Sequence, residues 1–151
     1  MNMSVGDFCT REVVIVNKES SIEELAQVMR QYHVGDVVVA EERAGERIPV
    51  GIVTDRDIVI EVVAKGLALN TVTAGDIMSY DLLLVREQEG LWDVLGRMRS
   101  RGVRRVPVVN DRGALVGLIT LDDLLDLLSE ELGALAKLVR REQAQEASGR
   151  P

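Results

Sequence analysis

The stretch GIVTDRD at residues 51–57 decides the fold, because it recurs as GLITLDD at residues 117–123. Each copy is an apolar run that begins with glycine and ends in threonine, with an aspartate three residues after the threonine. The sequence further upstream repeats as well, since GDFCT at 6–10 matches GDIMS at 75–79. An internal repeat of this length defines the architecture before any local pattern does.

Within each copy the spacing of apolar residues changes in the same order. Ser20 and Ser21, with glutamates three residues after each, are typical of a capping box at the start of an amphipathic helix, and Gly66 is typical of a helix end. The first repeat is predicted to contain a strand at 13–16, a helix ending near His33, strands at 34–39 and 50–53 joined by a polar turn, and a helix at 56–65. The second is predicted to contain a strand at 82–85, a helix at about 88–101, strands at 103–109 and 115–119, and a helix from 121.

We therefore predict an α/β (α+β) fold of two β-α-β-β-α repeats packed sheet to sheet about a pseudo-twofold axis, with an extended C-terminal helix. Units of about 60 residues are marginally stable alone, and each sheet has helices for only one of its faces. The predicted boundaries are a first repeat at 6–66, a linker at 67–74, a second repeat at 75–130, a helical extension at 131–147 and a disordered tail at 148–151.

Charge and composition exclude several classes of protein. The chain has 18 Lys and Arg against 25 Asp and Glu, and the net charge of −7 disfavours nucleic acids and anionic membranes as partners. One cysteine and one histidine make a poor metal site, so we expect none. The first residues resemble no leader sequence, and no apolar run approaches the ~20 residues that span a bilayer. A cytoplasmic location is expected.

The repeated Gly-apolar-apolar-Thr-x-x-Asp signature suits a nucleoside phosphate. A threonine at a helix start offers a hydroxyl beside free N–H groups, and an aspartate in the first turn can accept hydrogen bonds from a ribose diol. The same residues also form an ordinary N-terminal cap. A single copy would favour capping, whereas two equivalent copies favour a ligand, and the two roles are compatible.

These signatures, the DIMS opening at 76–79 and RRVPV at 104–108 resemble the cystathionine-β-synthase (CBS) domain pair, or Bateman module, over about residues 6–130. The resemblance implies a non-catalytic regulatory module that binds AMP, ADP, ATP, S-adenosylmethionine or, less often, NAD, without a catalytic cofactor. It also implies a homodimer that signals to an unidentified effector protein.

In that family the threonine and aspartate of each signature hold phosphate and ribose, and the base lies against the opening of each repeat and its middle strand. The implied ligand-binding residues of the first-repeat cleft are Thr10, Arg11, Val13, Val34, Gly35, Asp36, Val37, Thr54, Arg56 and Asp57. Those of the second-repeat cleft are Ser79, Tyr80, Asp81, Leu82, Arg104, Arg105, Val106, Pro107, Thr120 and Asp123.

The two copies differ where a phosphate would bind. The second repeat has Arg104 and Arg105, which can pair with phosphate oxygens, at positions where the first has Gly35 and Asp36. Asp36 would repel a phosphate if it faced the site, so the two clefts are predicted to be unequal. Arg56 is equally compatible with a phosphate contact and with a solvated helix charge.

Other residues suggest contacts with partners. Trp92 falls at the repeat position of Glu23, which favours either a partner surface or a ring folded over its own helix. Cys9 matches Met78 and is predicted to be a packed residue rather than a nucleophile. An apolar stripe that favours pairing with a second chain consists of Leu121, Leu125, Leu128, Leu132, Leu135 and Val139.

Two alternatives remain beside the regulatory module. One is a structural or interaction dimer whose clefts stay empty. The other is an enzyme, which ranks last because the sequence has no nucleophile beside a base, no metal cluster and no Walker loop.

Overall fold

Two units make up the computed structural model, residues 1–119 and residues 120–151, and the structure describes residues 3–149. The elements, in chain order, are α1 (Val5–Phe8), β1 (Ile15–Val16), α2 (Ile22–Tyr32), β2 (Asp36–Arg43), β3 (Glu46–Thr54), α3 (Asp55–Ile58) with a π-helical turn (Val59–Val63), α4 (Ala74–Ile77), β4 (Val85–Arg86), α5 (Leu91–Arg101), β5 (Arg105–Val109) and β6 (Leu115–Thr120). The chain then continues as α6 (Leu121–Gly149).

The strands form two sheets of three, in the orders β1-β2-β3 and β4-β5-β6. In each sheet the short first strand runs parallel to the middle strand, with Val16 opposite Val39 and Val85 opposite Val108. These pairs occupy equivalent positions in the two repeats. The predicted fold class, with two repeats and a long last helix, is thereby confirmed.

Successive side chains of a strand point to opposite faces of its sheet, so the first sheet contributes to two apolar clusters. Val37, Val39 and Val53 are buried in a core that includes Leu25 and Met29 of α2. Val38 and Ile52 point the other way and form an inter-sheet cluster with Leu118 of β6. The near-continuous valines of β2 are thus explained, since both faces of this strand are covered.

Each repeat exchanges its opening segment with the other. Thr10 and Leu118 exchange two backbone hydrogen bonds of 2.9 Å, and Ser79 and Ile52 exchange two of 3.0 Å. The opening of the first repeat therefore pairs with the last strand of the second, and the opening of the second pairs with the last strand of the first.

Glycine begins each signature because the exchanged segment passes directly over it. A Cβ atom at Gly117 would lie 2.5 Å from the Cys9 Sγ atom and 3.0 Å from the Thr10 carbonyl oxygen. A Cβ atom at Gly51 would overlap the Met78 side chain in the equivalent way. Burial raises the pKa of the Cys9 thiol, which favours its neutral form in this packed position.

The segments that precede the two repeats are also equivalent. Val72, in the predicted linker, accepts a 2.9 Å hydrogen bond from the first residue of α2, Ile22. Met3 accepts a 2.8 Å bond from the first residue of α5, Leu91. The N-terminal segment thus satisfies the first turn of α5 as residues of the predicted linker satisfy that of α2.

The prediction of a polar turn between the two long strands of the first repeat is wrong. β2 and β3 continue to a two-residue turn at Ala44 and Gly45, which have φ angles of 52° and 78°. Positive φ at both central residues is typical of a tight hairpin. The polar residues instead belong to exposed strand ends, where the facing pair Arg43 and Glu46 has opposite charges that favour the extended pairing.

Helix boundaries also differ in detail. The Ser21 side chain caps α2 by accepting a 3.2 Å bond from the Glu24 N–H, and His33 ends the helix with a φ of 53°. The helix expected at 56–65 is a single α-turn followed by a π-helical turn, with Gly66 at a φ of 67° beyond it. The helix expected from about 88 begins at Leu91, because Gly90 is its cap residue.

The second unit is dominated by one helix of 29 residues, α6, which continues through Gly133. Leu124 is buried, whereas most of the predicted apolar stripe is exposed. Of the predicted tail at 148–151, residues 148 and 149 belong to α6 and the last two lie outside the described residues. None of the helices described between residues 3 and 149 could span a membrane.

Substituting Gly117→Ala is expected to destabilise the protein by about 1–3 kcal/mol, because the added methyl group overlaps Cys9 and the Thr10 backbone. Thermal unfolding should show a midpoint about 2–12 °C lower. Gly96→Ala in α5 is the matched control, since nothing lies within 4 Å of its added Cβ. The control should stabilise the helix by up to about 1 kcal/mol. Equal midpoints for the two variants would contradict the close approach at Gly117.

Candidate functional site

The first signature forms a complete capping box at the end of β3. The Thr54 Oγ1 atom accepts a 3.1 Å hydrogen bond from the Asp57 N–H, and the Asp57 Oδ2 atom accepts a 2.9 Å bond from the Thr54 N–H. Thr54 and Asp57 are both half-buried. The cap fixes the Asp57 rotamer through one carboxylate oxygen, and the other oxygen accepts no hydrogen bond from the residues described.

Asp57 lines a cavity of about 500 Å³ that both repeats help to form. Ser79, the residue that pairs with Ile52, belongs to the same wall. Asp57, Asp76 and Glu61 give the cavity an excess of carboxylates, and its one ammonium group, that of Lys65, lies 2.5 Å from Glu61. The linker and helix residues of this wall were not predicted, because no sequence pattern signals the exchange that brings the second repeat beside β3.

An ion pair joins the two repeats close to this signature. The Arg105 Nε atom lies 2.7 Å from the Asp36 Oδ2 atom, and Asp36 is the strand partner of Thr54. The two side chains are only 29% and 22% exposed. Asp36 therefore faces a guanidinium group.

The exchange separates the residues predicted for the first-repeat cleft. Thr10 lies on β6, and the Arg11 guanidinium bonds to the Gly6 carbonyl oxygen at 2.8 Å and to the Glu87 carboxylate at 3.1 Å. Val13 packs against the inter-sheet cluster. Thr10 and Arg11 are thus placed beside the last strand of the second repeat.

The remaining first-repeat residues surround the start of β2. The Val34 N–H donates to the Met29 carbonyl oxygen, and the Gly35 carbonyl oxygen accepts a 2.9 Å bond from the Asp55 N–H. Val37 is 1% exposed, so its side chain belongs to the core. Arg56 is exposed, as either a phosphate contact or a solvated charge requires.

The residues predicted for the second-repeat cleft are similarly spread. Tyr80 is 79% exposed, and Asp81 accepts a 3.1 Å bond at its carbonyl oxygen from Arg101. Leu82 packs against the inter-sheet cluster, while the side chains of Val106 and Pro107 are buried. Arg104 is exposed at the turn before β5.

The second signature has the threonine part of this cap. The Thr120 Oγ1 atom accepts a 3.1 Å hydrogen bond from the Asp123 N–H at the start of α6. Within residues 3–149, no three His, Cys, Asp or Glu side chains are grouped as metal ligands.

Comparison with known proteins gives a consistent result. The profile of the CBS domain matches residues 5–64 and 74–130. An uncharacterised protein of Methanopyrus kandleri is 36% identical over 126 residues, which are 83% of this chain and 63% of that protein. Hypoxic response protein 1 of Mycobacterium tuberculosis is 33% identical over 82% of this chain and 84% of its own length.

Among solved structures, the CBS domain pair of protein MJ0100, in complex with 5′-methylthioadenosine and S-adenosylmethionine, superposes with a TM-score of 0.72. The two are 27% identical, and the match covers 87% of this chain and 99% of that one. The two profile matches agree with the two three-stranded sheets of the structure and with the reciprocal exchange of their opening segments. The chain belongs to the CBS domain family and contains a tandem pair of these domains.

Proposed function

We propose that this chain is a non-catalytic regulatory module that binds an adenosine-containing ligand between its two CBS domains. The observation that carries the proposal is the geometry of Asp57. Its Oδ2 atom is anchored by the Thr54 N–H at 2.9 Å, and the residue lines a cavity of about 500 Å³. An anchored carboxylate beside a cavity of this size suits the two hydroxyl groups of a ribose.

The second signature supports the same reading. Thr120 caps the Asp123 N–H as Thr54 caps that of Asp57, so both copies combine capping with an aspartate in the first helical turn. We propose Thr120 and Asp123 as the phosphate and ribose contacts of the second-repeat cleft.

The class of ligand follows from the relatives. The MJ0100 domain pair is in complex with two adenosine derivatives. For this chain we propose AMP, ADP or ATP, with S-adenosylmethionine and NAD as the other candidates. Binding would shift the packing of the two repeats or of two subunits, and the signal would pass to a partner protein that contacts the two states differently.

Ligand binding should raise the thermal midpoint of the protein. A ligand at one hundred times its Kd adds about 2.7 kcal/mol, or roughly 5–11 °C for a chain of this length. Asp57→Asn keeps an acceptor for the cap but loses the charge, and should weaken binding about 10- to 100-fold if that site is filled. Asp123→Asn tests the second signature in the same titrations of AMP, ADP, ATP, S-adenosylmethionine and NAD.

The control for both variants is Asp111→Asn, an identical substitution in an exposed turn. It should bind as the unchanged protein does. If no ligand moves the midpoint of the unchanged protein, the interaction-dimer reading replaces the regulatory one. Binding that survives both signature substitutions would remove the ribose role from these aspartates.

Self-association is the second part of the proposal. Leu125, Leu132, Leu135 and Val139 of α6 are each more than half exposed, and they follow one another at steps of seven, three and four residues. Such a stripe needs cover from another surface. A second copy of the chain is the occupant we propose, in a homodimer.

A charge in the middle of the stripe should break the dimer. Leu132→Glu would bury an unpaired carboxylate and raise the dimer Kd by at least about tenfold. Light scattering over a dilution series would measure this change. Gln145→Glu is the matched control, because it adds the same charge to another face of α6. A Leu132→Glu protein that dimerises as tightly as the control would refute a role for the stripe.

Trp92 favours the alternative of an interaction protein. Its side chain is 58% exposed, and it lines a cavity of about 380 Å³ with Met3. An exposed tryptophan beside a concave surface suits a protein partner. This role is compatible with ligand binding, since an effector must dock somewhere on the module.

A further inference from the structure

Asp36 and Arg105 form an ion pair between the two repeats, and the pair lies where the proposed phosphate contacts would be. We propose that Asp36 is a built-in competitor for the Arg105 guanidinium, so that a polyphosphate group binds beside Thr54 only by displacing Asp36. The inference deepens the proposed function and rests on it, because it concerns which adenosine derivatives the first signature accepts.

Strand geometry places Asp36 at this position. Asp36 is opposite Thr54 in the β2–β3 ladder, and Val38 and Ile52 are the next pair on the same face. Val38 and Ile52 belong to the inter-sheet cluster. Asp36 and Thr54 therefore point towards the other sheet, from which Arg105, the first residue of β5, reaches them.

The ion pair with Asp36 neutralises the Arg105 guanidinium group, which is the group that a phosphate would bind. Its 2.7 Å contact uses the Arg105 Nε atom, which is part of the fork that otherwise binds a phosphate through two parallel hydrogen bonds. Because both side chains are more than two-thirds buried, solvent screens the pair less than it screens a surface pair. A phosphate at Arg105 would meet the Asp36 charge, and displacing Asp36 would leave a half-buried carboxylate without its partner.

The nearby cavity increases this discrimination. Asp57, Asp76 and Glu61 contribute three carboxylates to its wall, against the single ammonium group of Lys65. An adenosine moiety without phosphate does not need Arg105 and leaves the ion pair intact. The first signature should therefore prefer adenosine and its uncharged or cationic derivatives to adenosine polyphosphates.

Two substitutions that each remove one negative charge distinguish competition for Arg105 from a general effect of net charge. Asp36→Asn removes the competing charge while keeping a similar shape. Glu46→Gln also removes one carboxylate from a cross-repeat pair with an arginine, since the Glu46 Oε1 atom lies 2.6 Å from the Arg112 Nε atom. Glu46 is at the hairpin end of the β2–β3 ladder, roughly 24 Å along the strands from Asp36.

The test is isothermal titration of the full chain with inorganic tripolyphosphate and, separately, with adenosine. Asp36→Asn should bind tripolyphosphate about fivefold more tightly than the unchanged protein, whereas Glu46→Gln should match the unchanged protein. The Asp36→Asn/Arg105→Gln double variant should lose the gain. Adenosine affinity should be the same in all four proteins.

Each other outcome is decisive. An unchanged tripolyphosphate affinity in Asp36→Asn, an equal gain in Glu46→Gln, or a gain that persists without Arg105 would each overturn the competition. If none of the four proteins binds adenosine but their tripolyphosphate affinities differ as expected, the proposed adenosine site is refuted. The competition between Asp36 and a phosphate group for Arg105 is then still supported.

Discussion

The fold depends on the close passage of each opening segment over the glycine that begins the other repeat's signature. Thr10 and Leu118 exchange backbone hydrogen bonds on one side, and Ser79 and Ile52 do so on the other. A side chain at Gly117 or Gly51 would collide with the segment that passes over it. The two repeats are therefore interlocked through their backbones, which suits units that are marginally stable alone.

The close passage of the opening segments also explains which features could be predicted from the sequence and which could not. Repetition identified both repeats, and local spacing identified the cap of α2 and the buried strand β2. The exchange was not predictable, since it pairs Thr10 with a strand more than one hundred residues away and no local pattern records that choice. The proposed ligand residues Thr10 and Arg11 were accordingly grouped with the first signature, although they lie beside β6.

The long hairpin was missed for a different reason. The polar residues from Glu41 onward are typical of a turn, but they continue the strands as exposed ends stabilised by cross-strand charges such as Arg43 and Glu46. Polarity reports exposure to solvent, and an exposed strand end is as polar as a loop. The backbone pairing up to Arg43 and Glu46 and the positive φ angles at Ala44 and Gly45 distinguish the two.

Capping and ligand binding are not competing explanations of the signature. The cap uses one oxygen of Asp57 and thereby fixes the direction of the other, which is the preorganisation that a binding site needs.

Departures from the repeat are more informative than the repeat itself. Asp36 and Arg105 stand at equivalent positions, and their opposite charges make the two repeats partners across the axis. That pairing uses a guanidinium group for an internal contact, so the two repeats carry chemically different side chains at equivalent positions.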